Sequence, residues 1–475
     1  MTTLSYAEAA HLLRRAGFGG SREQIESLAA RGREGAVDYL VNYEQVNNRK
    51  MEKALKRGFK FKVGGSFINN LRRWWVSRMV LTERPLEEKM TFFWHNHFAT
   101  SGAKVLVYLM YFQNFTLRQK AMGRFDDMLL GMLHDPAMLF WLDGNDNVRG
   151  KPNENFAREL QELFSMGIRD AVTGEPNYTE DDVKEIARAF TGWSYSFGNL
   201  NFKKPEKNQA FFVPERHDAG AKTVYGQTAN YRAEDIITIL SARRATGRYL
   251  ARQLFEFFAR PLSPSDEDKQ IIERLADIYF QNDLQIRPVV REILVSDEFY
   301  SERARMALVK NPLEFIVAAM RALGVDYKQT FDPPMQDIAL IFRLPLLGLN
   351  LFFPPDVSGW KMNLGWINTA TMLERYNLAN SFATNRRTDF LAGPFVTSDQ
   401  LRRHVRPSAQ ETVRNFLFIL GPLDVDEETI NRLTRYLETD ERGNPRPFAT
   451  DDATINFKIR GLLHQLLSLP EYQMN

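Results

Sequence analysis

Asn153-Glu154-Asn155-Phe156-Ala157-Arg158-Glu159-Leu160-Gln161-Glu162-Leu163-Phe164 carries the periodicity from which the fold is read. Wound at about 100° per residue, Phe156, Leu160, Leu163 and Phe164 fall on one face, and Asn155, Glu159 and Glu162 form a narrow ridge beside it. The window 152–166 is therefore an amphipathic helix whose polar ridge borders a core. The same periodicity recurs at 104–121, 179–190, 233–259 and 266–280. Start and stop signals agree with it. Ser5 precedes Glu8 at capping-box spacing, Gly17, Gly19 and Gly20 end that helix, Ser21 caps the next, and Pro85 opens a helix through Met90, Phe93 and Trp94. The expected fold class is mainly α, a multi-helix globular architecture.

Working outward, the pattern changes after Trp193. Tyr195, Phe197, Phe202, Phe211, Phe212 and Val213 alternate with polar residues around Gly198 and Pro205, which predicts a small β/loop insertion over 193–227. Helical periodicity returns at Ala233 and breaks again at 343–366, where Pro345, Gly348, Pro354, Pro355, Gly359 and Gly365 punctuate the chain. The organisation expected is a helical region 1–192, the insertion 193–227, a helical region 228–342, an irregular segment 343–366 and a helical region 367–475. At about 150 residues per domain, 475 residues suggest two to four structural units.

Composition narrows the classes of function. Hydrophobic residues at 44% and charged residues at 25% are those of a globular chain, and a net charge of +3 from 62 basic and 59 acidic residues does not mark a nucleic-acid binder. No run of about 18 apolar residues predicts a membrane span. Met1-Thr2-Thr3-Leu4-Ser5 lacks the regions of a signal peptide, so the chain as written is expected in the cytoplasm. With no cysteine, disulfides, thiolate metal sites and a cysteine nucleophile are excluded.

The stretch 153–164, continued to Gly167 and then through Tyr178-Thr179-Glu180-Asp181-Asp182-Val183, resembles the signature of the bacterial domain-of-unknown-function 1800 family. His11-Leu12-Leu13-Arg14-Arg15-Ala16-Gly17-Phe18-Gly19, Trp94-His95-Asn96-His97-Phe98, Phe190-Thr191-Gly192-Trp193, His217-Asp218 through Gly226, and Pro354-Pro355-Asp356-Val357-Ser358-Gly359-Trp360 resemble it in the same order. The resemblance spans most of the chain. It implies a helical fold and a bacterial origin, and no reaction. It also implies frequent export and a partner from the neighbouring domain-of-unknown-function 1501 family.

Several groups of residues can carry chemistry. Glu159 and Glu162, at i and i+3, can bind a divalent cation or act as acid and base if partly buried, or they form a solvated face with Glu154 paired to Arg158. His95 and His97 point about 160° apart on a continuous helix and converge on a metal only if the helix ends there. His217, Asp218 and Lys222 arrive together on loop backbone, where a histidine oriented by a carboxylate is a candidate general base. Asp143-Gly144-Asn145-Asp146-Asn147 with Glu154 matches four positions of a calcium loop, but Val148 stands where its glycine should, and a capping turn explains the stretch better. Gly192-Trp193, Gly359-Trp360 and Gly365-Trp366 can stack on sugars or pin loops to a core. Lys53, Lys56, Arg57, Lys60 and Lys62 with Phe59 and Phe61 have the composition of a weak nucleic-acid patch, which a solvated basic turn explains better.

Two functions remain open. The first is a helical enzyme, a metal-assisted hydrolase or lyase acting on a polymer such as a polysaccharide. His95, His97, Glu159 and Glu162 would hold the divalent metal, His217 with Asp218 would move the proton, and Arg158 or Lys222 would hold an anionic group. The second is a non-catalytic binding or assembly protein, with the polar signature a buried network.

Overall fold

The computed structural model describes residues 3–59, 61, 67–196, 201–202, 208, 210–325, 338–384 and 396–475. The chain opens with α1 (Tyr6–Arg15), α2 (Arg22–Ala29), α3 (Gly32–Val41), α4 (Arg49–Gly58), α5 (Phe67–Leu81) and α6 (Pro85–His97). There follow α7 (Val107–Lys120), α8 (Phe125–Leu133), α9 (Pro136–Trp141), α10 (Asn155–Glu162) and α11 (Glu180–Ala189). The expected starts are realised: Ser5 and Glu8, and Ser21 and Gln24, close reciprocal capping boxes, and Pro85 stands in the first turn of α6; a further box, Thr179 with Asp182, opens α11.

The insertion is two short antiparallel hairpins, β1 (Trp193–Ser194) with β2 (Phe211–Phe212) and β3 (Lys222–Val224) with β4 (Gln227–Ala229). Of the aromatics expected to alternate there, Phe197 lies outside the described residues, as does Gly198. Beyond it run α12 (Ala233–Ser241), α13 (Arg244–Phe258), α14 (Asp266–Gln281), α15 (Ile286–Val295), α16 (Asp297–Tyr300) and α17 (Pro312–Ala322). The helix expected over 233–259 is thus two. Arg243 is extended between them, and its guanidinium lies 3.9 Å from the centre of the Tyr225 ring, so a tertiary contact overrides the local periodicity. A short helix, Ile338–Arg343, ends where the irregular segment begins, 344–366 holds only 3₁₀ turns, and longer helices return at Thr369–Thr384, Ala409–Ile419, Glu427–Leu437 and Arg460–Ser468. The protein is mainly α with a small β insertion.

Two apolar cores organise these helices. One joins α5, α7 and α17 to the C-terminal helices, and the other joins α1–α3, α8 and α10–α15. Helix α6 runs along their seam. Its Phe92 belongs to the first core, and Leu86, Met90, Phe93 and Trp94 belong to the second. Across the seam, Phe257 of α13 packs against both cores. No helix among the described residues is long and apolar enough to cross a membrane.

Candidate functional site

Along the seam lies a cavity of about 520 Å³. Its two long walls are helix faces with matching periodicity. Lys89, Phe93, Asn96 and His97 project from α6, and Tyr249, Gln253, Glu256 and Phe257 project from α13, each set at i, i+4, i+7 and i+8. The rings meet across the gap: Phe93 and Phe257 have centroids 5.1 Å apart, and His97 and Tyr249 6.2 Å. The cavity lengthens from an exposed mouth at Ser358 and Leu364, the latter 74% exposed, to a buried floor of Arg15, Lys89 and Glu314.

The end of α10 holds both walls. The last carbonyls of a helix lack intrahelical donors. Here the Leu163 carbonyl accepts from the Tyr249 hydroxyl at 2.8 Å, and the Phe164 carbonyl accepts from His97 Nε2 at 3.0 Å. That bond places the His97 proton on Nε2 and leaves Nδ1 as an acceptor. Burial lowers the pKa of His97 to about 4, so the ring is neutral near pH 7. The mouth is built from 354–360. The Trp360 N–H donates to Asn96 Oδ1 at 2.7 Å, and Asn96 Nδ2 donates back to the Trp360 carbonyl at 3.4 Å. So close an approach requires the glycine at 359, where φ is +80° and a Cβ would stand 2.4 Å from Asn96 Oδ1.

The residues singled out from sequence are distributed differently from the expected constellation. Helix α6 continues through His97, so the two histidines diverge as a continuous helix requires. His95 is buried in a box of Trp75, Phe352 and Trp360, with centroids at 5.1, 5.1 and 5.6 Å, and burial lowers its pKa to about 3. Glu159 is half-buried, with its pKa raised by burial and then by the charge of Glu162. Glu162 accepts from the Tyr178 hydroxyl at 3.2 Å. Arg158 bridges Glu154 at 3.0 Å and Glu180 at 2.7 Å, the ion-paired face foreseen as the alternative. Among the described residues, no three His, Asp or Glu side chains are grouped to hold a metal ion. The four expected ligands are therefore not brought together.

His217 and Asp218 are likewise turned apart. His217 Nδ1 donates to the Thr191 carbonyl at 2.9 Å, and the Asp218 carboxylate takes the Arg188 guanidinium at 2.8 and 3.3 Å, which holds its pKa down to about 2. Lys222 Nζ donates to the Asp218 and Gly220 carbonyls, and burial lowers its pKa. These side chains fasten the insertion to α11. The calcium-like stretch is also a polar turn: Asn145 Oδ1 receives the Ser194 hydroxyl, and Asn147 bonds to Ala187 and Asn153. Trp193, Trp360 and Trp366 are all buried, so the Gly-Trp pairs pin loops. In the basic stretch, Lys53, Lys56 and Arg57 are exposed and Phe59 is buried, while Phe61 packs on Phe67, Trp74 and Tyr111. Lys60 and Lys62 lie outside the described residues.

The sequence reading missed Arg15, Lys89, Tyr249, Gln253, Glu256 and Glu314. The readable signals were the paired Arg14-Arg15 at the end of an otherwise apolar helix and the Asn311/Glu314 capping box, which brings a carboxylate to the seam. Fold and site thus define a helical protein with a ligand-sized cavity between two cores. Residues 11–474 match the profile of the family described as Protein of unknown function (DUF1800), and the chain belongs to that family. Neither a curated protein nor a solved structure matches it.

Proposed function

We propose that the protein is a binding protein whose ligand is a small organic molecule held in the cavity between α6 and α13. The observation that carries this reading is the pair of facing stripes. Two helices from distant parts of the chain turn the same mixture of rings, amides and charges toward one space, of a volume within the roughly 300–1,000 Å³ typical of ligand sites. Catalysis draws less support from the same walls. A general acid or base works best with a pKa near the operating pH. His97 is held at about 4 and Tyr249 is pushed up to about 12, both by burial. Glu256 is paired with Arg252 at 3.1 Å, and Lys89 is bonded to Glu314. The metal-assisted hydrolase finds no grouped ligand set among the described residues.

The test is a thermal-denaturation screen of the native protein against small metabolites, oligosaccharides and divalent ions, repeated with Gln253→Trp and Gln253→Ala. A ligand at 100 times its dissociation constant stabilises by about 2.7 kcal/mol. Ligands that stabilise the native protein are expected to fail with Gln253→Trp, which puts an indole into the space between the two helices, and to work with Gln253→Ala. Equal stabilisation of the tryptophan variant would place their site elsewhere. Stabilisation by a divalent ion accompanied by cleavage of an oligosaccharide would restore the hydrolase.

A further inference from the structure

We infer that the ligand is an anion, a carboxylate or phosphate monoester joined to an apolar body, and that Arg15 receives its acid group at the floor of the cavity. This rests on the cavity being the binding site, and adds the chemical class of what it takes.

Arg15 ends α1, a helix whose register is fixed by the Ser5/Glu8 capping box and whose last turn carries Arg14 and Arg15 side by side. The side chain is 1% exposed and lines the cavity. One nitrogen, Nη2, donates to the Ala304 carbonyl at 2.5 Å. Nε and Nη1 are buried with no hydrogen-bond partner. No carboxylate among the described residues lies within ion-pairing distance of this guanidinium. An uncompensated buried charge costs several kcal/mol, and buried polar hydrogens are almost always satisfied.

The one carboxylate on the floor is already occupied. Glu314 accepts from Lys89 Nζ, from the Asn311 N–H at 2.8 Å and from Asn475 Nδ2 at 2.9 Å. Behind the floor stand three more buried cations that reach only neutral acceptors. Arg14 donates to the Gly421 carbonyl at 2.9 Å, Lys310 to the carbonyls of Tyr472 and Met474, and Arg375 to the Lys310 carbonyl and the Gln473 side chain. Among these five buried basic side chains, only Lys89 is paired with the carboxylate. Burial accordingly lowers the pKa of Arg15 to about 9 and that of Lys310 well below its ordinary value. An anion at the floor supplies both the charge and the acceptors that Arg15 lacks, and charge-assisted hydrogen bonds are the strong ones. The walls above it carry no further cation; Phe93, Phe257, Leu308, Val309 and Met362 offer apolar surface for the remainder of the ligand, beside the amides of Asn96 and Gln253 and the Glu256 carboxylate that Arg252 pairs.

The experiment titrates the native protein with octanoate, 2-naphthoate and octyl phosphate, each against 1-octanol or 2-naphthol, with inorganic phosphate alone as a further arm. At least one amphiphilic anion is expected to bind tenfold or more tighter than its neutral counterpart and than inorganic phosphate; octanoate against octyl phosphate tells which acid group is preferred. Arg15→Gln should erase the preference and Arg15→Lys should keep part of it. If neither variant folds, the native series alone carries the test. Neutral and anionic probes binding equally would overturn the inference, as would phosphate binding as tightly as octyl phosphate. So would failure of every anion where the screen yields neutral ligands sensitive to Gln253→Trp, and in that case the cavity reading stands. If no compound of any charge binds, both fall.

Discussion

Replacing Gly359 by alanine separates two costs that the backbone imposes at the mouth of the cavity. The first is conformational. At φ +80° an L side chain meets its own carbonyl, which costs roughly 1–2 kcal/mol. The second is steric. The new Cβ would stand 2.4 Å from Asn96 Oδ1 and 2.5 Å from the Asn96 carbonyl oxygen, and a backbone atom cannot rotate away. Relief requires the 354–360 segment to lift from α6, which stretches the two hydrogen bonds between Asn96 and Trp360. At about 1 kcal/mol each, with some exposure of Trp360, the second cost is roughly 2–3 kcal/mol, and the total is about 3–5 kcal/mol. Gly324 provides an internal control. Its φ is +69° and nothing lies within 4 Å of a Cβ there, so Gly324→Ala should cost only the conformational 1–2 kcal/mol, roughly. Urea denaturation followed by tryptophan fluorescence compares the two, because Trp360 reports on the displaced segment. Equal losses in the two variants would refute the docking of 354–360 on Asn96 as the reason for this glycine.

Three further outcomes are expected. Glu88 is buried and accepts from Trp75, Arg78 and Arg118; Glu88→Gln should cost roughly 3 kcal/mol in chemical denaturation by stranding Arg118, while Arg78 keeps Glu52 at 2.9 Å. Although burial opposes ionisation, those arginines hold its carboxyl down to about 2, so this contribution is complete above the ordinary 4.5 and disappears as pH falls through about 2. Asp135 is the opposite case: burial outweighs its bonds from Met138 and Gln113 and raises it from 3.8 to about 7, so the folded state keeps a proton that the unfolded chain has lost. Native stability should therefore fall between about pH 4 and about pH 7, and Asp135→Asn should gain on it across that window in paired melting curves. Glu159→Gln should change stability by less than about 0.5 kcal/mol, and divalent ions should leave both melting curves unmoved; a shift by zinc or manganese in the native protein alone would return a metal to α10.

Much of the fold was legible because helix boundaries are local. Ser5 with Glu8, Ser21 and Pro85 settle their own helices within one turn. The helix expected at 233–259 failed at Arg243, whose partner Tyr225 lies in the insertion and is invisible to a window on the sequence. The candidate site was far less legible, for the same reason. Its floor joins Arg15, Lys89 and Glu314, which are separated by 74 and 225 residues, and nothing local marks them as neighbours. Residue types that usually signal chemistry drew attention instead to His217 and Asp218, whose bonds to Thr191 and Arg188 are accounted for by attachment of a loop.

Packing can be subtracted from the family-like stretches, and what is left over points to the floor. In Trp94-His95-Asn96-His97-Phe98, the indole N–H of Trp94 goes to the Ala121 carbonyl, His95 fills an aromatic box, Asn96 binds the Trp360 backbone, and His97 spends Nε2 on Phe164. In Pro354 through Trp360, Gly359 is required by contact with α6 and Trp360 stacks over Phe92. In His11 through Gly19, His11 reaches the Phe299 carbonyl, and Gly17 leaves room for Pro85. Each of these residues has a packing partner, although His11 Nδ1 and His95 Nε2 are buried without a hydrogen bond. Arg15 leaves more unmet and carries a charge: one of its three nitrogens is used, the other two are buried without acceptors, and a leucine or methionine would fill the same volume without a charge to compensate. A guanidinium held where folding gains least from it is the feature of these stretches that a ligand explains and packing does not.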